Sequence, residues 1–399
     1  MSVPDLPAAN YDEAQVGTYD LPPLSLPSGE LPQSADEARE ARADWRQTFA
    51  SGLYGEIPSA PDRVEVTRQP LRDPHAERLA IRLTVEDRHF DVDAALWLPP
   101  GGTQVPLVAM LDFLGPLGTL TSADFPLDPA ARVPLPAWFG SGHGGLTDEM
   151  RGTTAGRVPV QLLLDAGYGV LTSCYGSWVP DDPILFRERG LWPLLNLARA
   201  AEPPGTIALW SWAIQRLLDV AATLPEVDTG RLVVAGHSRL GKAALWAAAN
   251  DQRVSALFLN ESGCAGASLS RRNFGETLVH NRRNFPHWLL PEVRAERAGL
   301  AQVDQHQLLA QMAPRRLYIG SAVNDLWCDP RGEYLALQAA APLWSLFGHP
   351  MEMPPAEDIF AAGRHLRIDR IGWHLRAGGH ELTPHDWSQF LAFMAQAGG

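Results

Sequence analysis

The 399-residue chain is 45% hydrophobic and 20% charged, enough apolar material for one large core. Its 33 basic and 46 acidic residues give a formal net charge of −13, which argues against nucleic acid or an anionic membrane as the main partner. The three cysteines, Cys174, Cys264 and Cys328, lie far apart without zinc-type spacing, and a disulfide is not implied.

The opening "MSVPDLPAANYDEAQVGTYDLPPL" has no basic head and no apolar run, so it is not a signal peptide. Nothing later has the length of a membrane span. As written the sequence reads as a cytoplasmic protein, or as a secreted or periplasmic one whose leader has been removed. Residues 1 to about 35 are proline-rich and predict an extended segment, lying over the body or loosely ordered. "SADEAREARADWRQTFASGLYG" predicts an amphipathic helix capped by Ser34. "RLAIRLTVEDRHFDVDAALWLP" alternates like an antiparallel hairpin at a sheet edge. "VPLVAMLDFLG" and "YGVLTSCYG" read as buried strands, the second preceded by the helical "PVQLLLDAG". A long helix follows in "TIALWSWAIQRLLDVAATLPEVD", then strands in "RLVVAG", "VSALFLNE", "RRLYIGSAVND" and "RIGWHLRAGGH". "TPHDWSQFLAFMAQ" closes as a helix.

Strands separated by helices predict an α/β fold: a mainly parallel twisted sheet with helices on both faces. With no linker or repeat, residues 1–399 read as a single domain, expected as a monomer. In such sheets chemistry gathers at the carboxyl ends of the strands. Ser238, Glu261, Asp325 and His380 each follow a predicted strand.

"RLVVAGHSRLGKAALWAAA" poses a choice between two chemistries. Gly236 to Lys242 spell most of a phosphate-binding loop. The next residues are Ala243 and Ala244, which cannot hold magnesium, so a nucleotide reading lacks its metal half. The alternative is a nucleophile on a sharp strand-to-helix turn, with Ser238 flanked by Gly236 and Gly241. The second glycine falls three residues after the serine where two is usual.

The chain order serine, acid, histidine fits an α/β-hydrolase. His380, in a glycine-lined loop after the last strand, is the candidate base. His385 falls in the first turn of the closing helix, where Thr383 and Asp386 form a capping box, and reads as structural. His374 alternates within a strand and reads as packed. Two sites stay open for the acid, Glu261 and Asp325, with Asp329 beside the latter. Either carboxylate could orient His380.

"GHSRLGK" resembles the signature of the glucuronoyl esterases, carbohydrate esterase family 15, and more closely that of their bacterial branch. The resemblance continues through "NYDEAQVGTYDLP", "YGVLTSCYGSWVPDD", "NESGCAGASLSRRNFGET", "FPHW", "VDQHQLLAQMAPRRLYIGSAVNDLWCDPRGEY" and "HLRAGGHELTPHDW". It implies an α/β-hydrolase fold without metal or cofactor. The implied reaction cleaves the ester between 4-O-methyl-glucuronic acid of xylan and a lignin alcohol. The implied roles are Ser238 as nucleophile, His380 as base, Glu261 as the family's usual acid and Asp325 as the alternative acid. Arg239 would serve the oxyanion, and Lys242, Glu276 and Trp327 the sugar. Without the resemblance, Lys242 reads as a solvated helix lysine and Trp327 as core. His237 stands where the signature has a cysteine, so the disulfide of fungal members is absent and Cys264 is expected as a free buried thiol. "LDFLGPLGT" and "SADFPLDPAARVPLPAWFGSGHGG" depart from the relatives and are expected to border the site. An acetyl xylan esterase or general carboxylesterase on the same scaffold is the alternative enzyme. A carbohydrate-binding homologue without turnover is the alternative outside catalysis.

Overall fold

Leu107, Ala109 and Leu111 alternate with Val108 and Met110, yet all five are buried. Only a strand covered on both faces can satisfy such a run. In the computed structural model, which describes residues 8–134 and 143–396, the first three face one apolar cluster and the other two face another. Every strand near the middle of the sheet repeats this arrangement.

The strands are β1 (Arg63–Pro70), β2 (Ala76–Val85), β3 (Arg88–Trp97), β4 (Val105–Asp112), the two-residue β5 (Val133–Pro134) and β6 (His143–Gly144), β7 (Gly169–Cys174), β8 (Val227–His237), β9 (Val254–Asn260), β10 (Arg316–Ala322), β11 (Arg364–Ile368) and β12 (Ile371–Arg376). Apart from the separate β5–β6 ribbon they form one ten-stranded sheet in the order β1-β2-β3-β7-β4-β8-β9-β10-β12-β11. The block from β7 to β12 is parallel, and antiparallel strands close both edges. This is the α/β-hydrolase architecture that the alternation of strands and helices predicts.

The larger cluster lies under α1 (Ala35–Phe49), α2 (Thr206–Ala222), α3 (Arg239–Asn250) and α4 (Pro330–Ala340), and the smaller under α5 (Pro384–Ala395). Helix α2 is apolar almost all round because it is buried almost all round, from Thr206 to Ala221. Ser34 caps α1 as expected, its side chain accepting from the Glu37 N–H.

From Asn10 onward the N-terminal segment is tied down rather than loose. His306 Nε2 meets the Pro22 carbonyl at 2.9 Å, Gln307 Nε2 donates to that of Pro23 at 3.0 Å, and the Gly275 N–H donates to that of Asn10 at 2.8 Å. The last contact carries the segment to the loop that holds Glu276.

Three details differ from expectation. The hairpin β2–β3 is present, but β1 lies outside it. Its side chains alternate between exposed and half-buried, so no apolar period announces it. At the other edge β11 is equally polar. The strand of "YGVLTSCYG" stops at Cys174, and Tyr175–Trp178 turn into a short helix. Of the unusual stretch 122–145, residues 135–142 lie outside the described residues.

Trp246 on α3 is fully buried and stacks on Tyr54 with ring centroids 4.9 Å apart. Trp246→Ala should cost about 3–5 kcal/mol, read as a lower midpoint in urea unfolding at unchanged slope.

Candidate active site

Strand β8 runs into α3 through a single residue, Ser238, whose φ of 58° and ψ of −129° few L-residues adopt. Its N–H donates to the Asn260 carbonyl at 3.0 Å, and its carbonyl accepts from Gly241 N–H at 2.9 Å. So tight a turn needs bare backbone beside it. A Cβ at Gly236 would stand 2.2 Å from the Leu240 oxygen, and one at Gly241 2.7 Å from the Ser262 Cβ. The second glycine, displaced by one position, therefore serves the contact between α3 and the loop after β9.

His380 sits in the loop after β12. Its Nε2 is 2.9 Å from Ser238 Oγ, and its Nδ1 is 2.7 Å from Asp325 Oδ2. Glu261, at the end of β9, stands farther from the same nitrogen, at 3.4 Å. Its oxygens are also otherwise engaged: Oε1 accepts from Arg376 Nη2 at 2.6 Å, and Oε2 from the Glu381 N–H at 2.7 Å. Burial, then Asp325, Asp386 and Glu333, push the Glu261 carboxyl up to about 10 against the pull of Arg376. The sequence left two acids open; geometry gives the Nδ1 hydrogen bond to Asp325.

Arg239 opens α3. Its guanidinium lies over Trp288 at 4.6 Å, Phe285 at 5.2 Å and Phe113 at 5.4 Å, and Nη1 donates to Asp181 Oδ2 at 2.5 Å. Its Nε–H is buried and meets no acceptor among the described residues. Asp181 also receives Tyr175 OH at 2.6 Å and Trp288 Nε1 at 2.8 Å, and His287 Nε2 lies 2.9 Å away. Burial opposes its ionisation, but Arg239 and His287 prevail and hold the carboxyl below the usual range. Sequence reasoning assigned no role to Asp181, although "SWVPDD" and "FPHW" both entered the resemblance. An acid in an apolar stretch was the signal.

Lys242 is buried one turn after the serine, so the solvated-lysine reading fails. Its Nζ donates to the Ser262 carbonyl at 2.7 Å, the Cys264 carbonyl at 2.6 Å and Glu276 Oε2 at 3.3 Å. An ammonium has three N–H groups, and all three are spoken for. Glu276 in turn donates its N–H to the Trp327 carbonyl at 2.8 Å. Trp327 is half-buried, not core, and its indole N–H has no partner among the described residues.

A cleft of about 680 Å³ opens at Ser238, Arg239 and His380, with Phe113, Leu114, Pro134, Thr153, Arg157 and Leu382 among its walls. Both unusual loops thus border the site, within the described residues. Arg157, which sequence reading passed over, is fixed by buried Asp112 at 2.8 Å and lies over Phe113 at 4.8 Å. His237 forms part of the floor, with its Nδ1 2.6 Å from Asn260 Oδ1 and its ring 4.6 Å from that of His380. Burial, then His380, keeps it neutral.

The rival histidines fall outside the relay. His374 bridges Tyr318 OH at 3.0 Å and Asp386 at 2.8 Å, and His385 is exposed on the first turn of α5. Asp329 caps α4 and pairs with Arg272 at 2.9 Å. The cysteines are all free and buried. Two groupings among the described residues could offer a metal three ligands, His237 with Glu261 and His380, and Asp325 with Cys328 and His380. Both draw on the imidazole that already joins Ser238 to Asp325. No helix among the described residues is long and apolar enough to cross a membrane.

A serine on such an elbow, joined through an imidazole to a buried carboxylate, defines a serine ester hydrolase of the α/β-hydrolase fold. Comparison with known proteins places it further. Residues 189–348 match the family described as glucuronyl esterase of fungi. Carbohydrate esterase MZ0003, from an unknown prokaryotic organism, is 32% identical over 96% of this chain and 91% of its own. The solved structure of a promiscuous CE15 esterase from a marine bacterial metagenome covers 98% of this chain and 100% of its own at 30% identity and a TM-score of 0.84. For the glucuronoyl esterase of Solibacter usitatus the figures are 97%, 100%, 31% and 0.84. The chain belongs to carbohydrate esterase family 15, the glucuronoyl esterases, on their bacterial side, and is a carboxylic ester hydrolase.

Glu333, behind Asp325, accepts from Ser321 OH at 2.6 Å and Gly263 N–H at 2.9 Å, and burial pushes it up from 4.5 to about 8. A raised carboxyl stabilises the fold fully below the unfolded value, and that contribution shrinks until the folded value is passed. The contribution of Glu333 should therefore be lost as pH rises from about 4.5 to about 8, and that of Glu261 through about 10. It is opposed below about 6.5 by the buried His237, whose lowered value makes stability rise with pH there. Glu333→Gln should flatten the first part of a plot of unfolding free energy against pH.

Proposed function

We propose that the protein cleaves esters of glucuronic acid, including its 4-O-methyl form, through an acyl-enzyme on Ser238. The observation that carries this reading is the linear relay from Ser238 Oγ through His380 to Asp325, at 2.9 and 2.7 Å, at the mouth of the cleft. His380 takes the serine proton as Oγ attacks the ester carbonyl, then returns it to the departing alcohol; water repeats the sequence to free the acid. Asp325 fixes the tautomer and stabilises the imidazolium. Arg239, next to the nucleophile on the cleft wall and permanently charged, serves the oxyanion.

The uronate side of the reading rests on the likeness to a glucuronoyl esterase over nearly the whole chain. Lys242, Glu276 and Trp327, which the resemblance gives to the sugar, are not among the residues that line the cleft, and Lys242 holds Glu276 at 3.3 Å. Acetylxylan and simple esters form the second reading. It is favoured by the likeness to an esterase described as promiscuous.

Hydrolysis of methyl and benzyl glucuronate, compared with p-nitrophenyl acetate and acetylated xylan, separates the two. A higher kcat/KM on the glucuronates, abolished in Ser238→Ala, is expected; a preference for acetyl esters would hand the site to the second reading. Asp325→Asn should lower kcat about 10³–10⁴-fold, as when a triad imidazole loses its tautomer partner. Glu261→Gln should lower it far less, by about tenfold. The reverse order would make Glu261 the working acid.

A further inference from the structure

The imidazole that serves Ser238 hangs on a loop with two glycines, Gly378 and Gly379, between β12 and α5. Such a loop is held only by what it is bonded to. Its residues 377, 379 and 381 all direct their carbonyl oxygens at one side chain, that of Arg376, the last residue of β12. Nη1 donates to the Ala377 carbonyl at 3.0 Å; Nη2 donates to the Gly379 carbonyl at 3.0 Å and to that of Glu381. The remaining contacts go to two carboxylates. Nε spans both oxygens of Asp386 at 3.0 and 3.1 Å, and Nη2 meets Glu261 Oε1 at 2.6 Å. The side chain is 8% exposed.

We infer that Arg376 is a positioning residue for the reaction. It fixes the backbone on both sides of His380 and draws Glu261 away from the imidazole, which leaves Nδ1 to Asp325. Asp386 anchors the clamp to the body, since it also accepts Thr383 OH at 2.6 Å and lies 2.8 Å from His374 Nε2, which joins it to Tyr318. Only a guanidinium can do this. Its donors lie in one plane and point in several directions, whereas an ammonium has three donors on one atom. Three carbonyls and two carboxylates spread around the loop exceed what a lysine at this position can reach. The inference rests on His380 being the base.

The test is Arg376→Lys, which keeps the charge, assayed beside His380→Asn on benzyl glucuronate and p-nitrophenyl acetate. Active sites are counted with a serine-directed phosphonate, so that misfolded protein drops out of the rate. The expected result is a fall in kcat per active site of tenfold or more with KM within about twofold, because a displacement of the order of 1 Å in a reacting group costs up to 10²-fold. A structural role alone would lower the number of active sites and leave kcat per site unchanged, and that result would overturn the inference. His380→Asn with wild-type kcat would overturn the reading of the histidine and the inference with it. His380→Asn inactive beside Arg376→Lys at wild-type kcat would overturn the inference alone. If the lysine variant does not fold, nitrogen-15 NMR of the wild type decides. A clamped Arg376 shows separate, slowly exchanging Nη resonances, and a single averaged resonance would contradict it.

Discussion

The backbone of one residue governs this site. Ser238 holds a positive φ that costs about 1–3 kcal/mol where the surroundings do not enforce it. Here strand and helix leave it no alternative. Its N–H is bonded to β9, its carbonyl to the first turn of α3, and Gly236 and Gly241 leave the neighbouring chain the room a Cβ would take. Because the serine is the last residue before the helix, the residues after it are placed by helical geometry. Arg239 turns toward Asp181, and Lys242, one turn on, reaches back under the loop after β9. The elbow thus sets the nucleophile and, through the helix, two of the charged groups around it.

Those charges are affordable only because each is matched. A buried ion without partners costs several kcal/mol, and Asp181, wholly buried, is surrounded by four polar side chains. Glu261 is nearly as buried, and burial, helped by three neighbouring carboxylates and opposed by Arg376, pushes it the other way, toward its neutral form. Two acids at adjacent strand ends thereby differ in their partners: Asp325 Oδ2 meets His380 Nδ1 at 2.7 Å, while Glu261 accepts from Arg376 Nη2 and the Glu381 N–H.

Much of this was legible in the sequence. The parallel strands announce themselves as short apolar runs, and α1 by its cap at Ser34. The order Ser238, then Glu261 or Asp325, then His380 was readable from strand ends, and His385 was set aside through its capping box. What remained hidden had physical reasons. The edge strands β1 and β11 are half-solvated and lack an apolar period. The choice between Asp325 and Glu261 depends on less than 1 Å at one nitrogen, set by Arg376 from another strand. Asp181, Arg157 and Arg376 act across contacts between residues far apart in the chain, and spacing does not report those. Lys242 was expected to face the sugar directly, but its hydrogen bonds show it occupied with the protein.

The central claim is that Ser238 carries the acyl group between the two half-reactions. Its most direct test is to mix the protein with benzyl glucuronate, quench in acid within milliseconds, and weigh the peptide that spans residues 231–249. The account predicts a mass gain equal to one glucuronoyl group, located on Ser238, decaying as free glucuronate appears. An unmodified peptide during steady turnover, or an adduct on another residue, would contradict it.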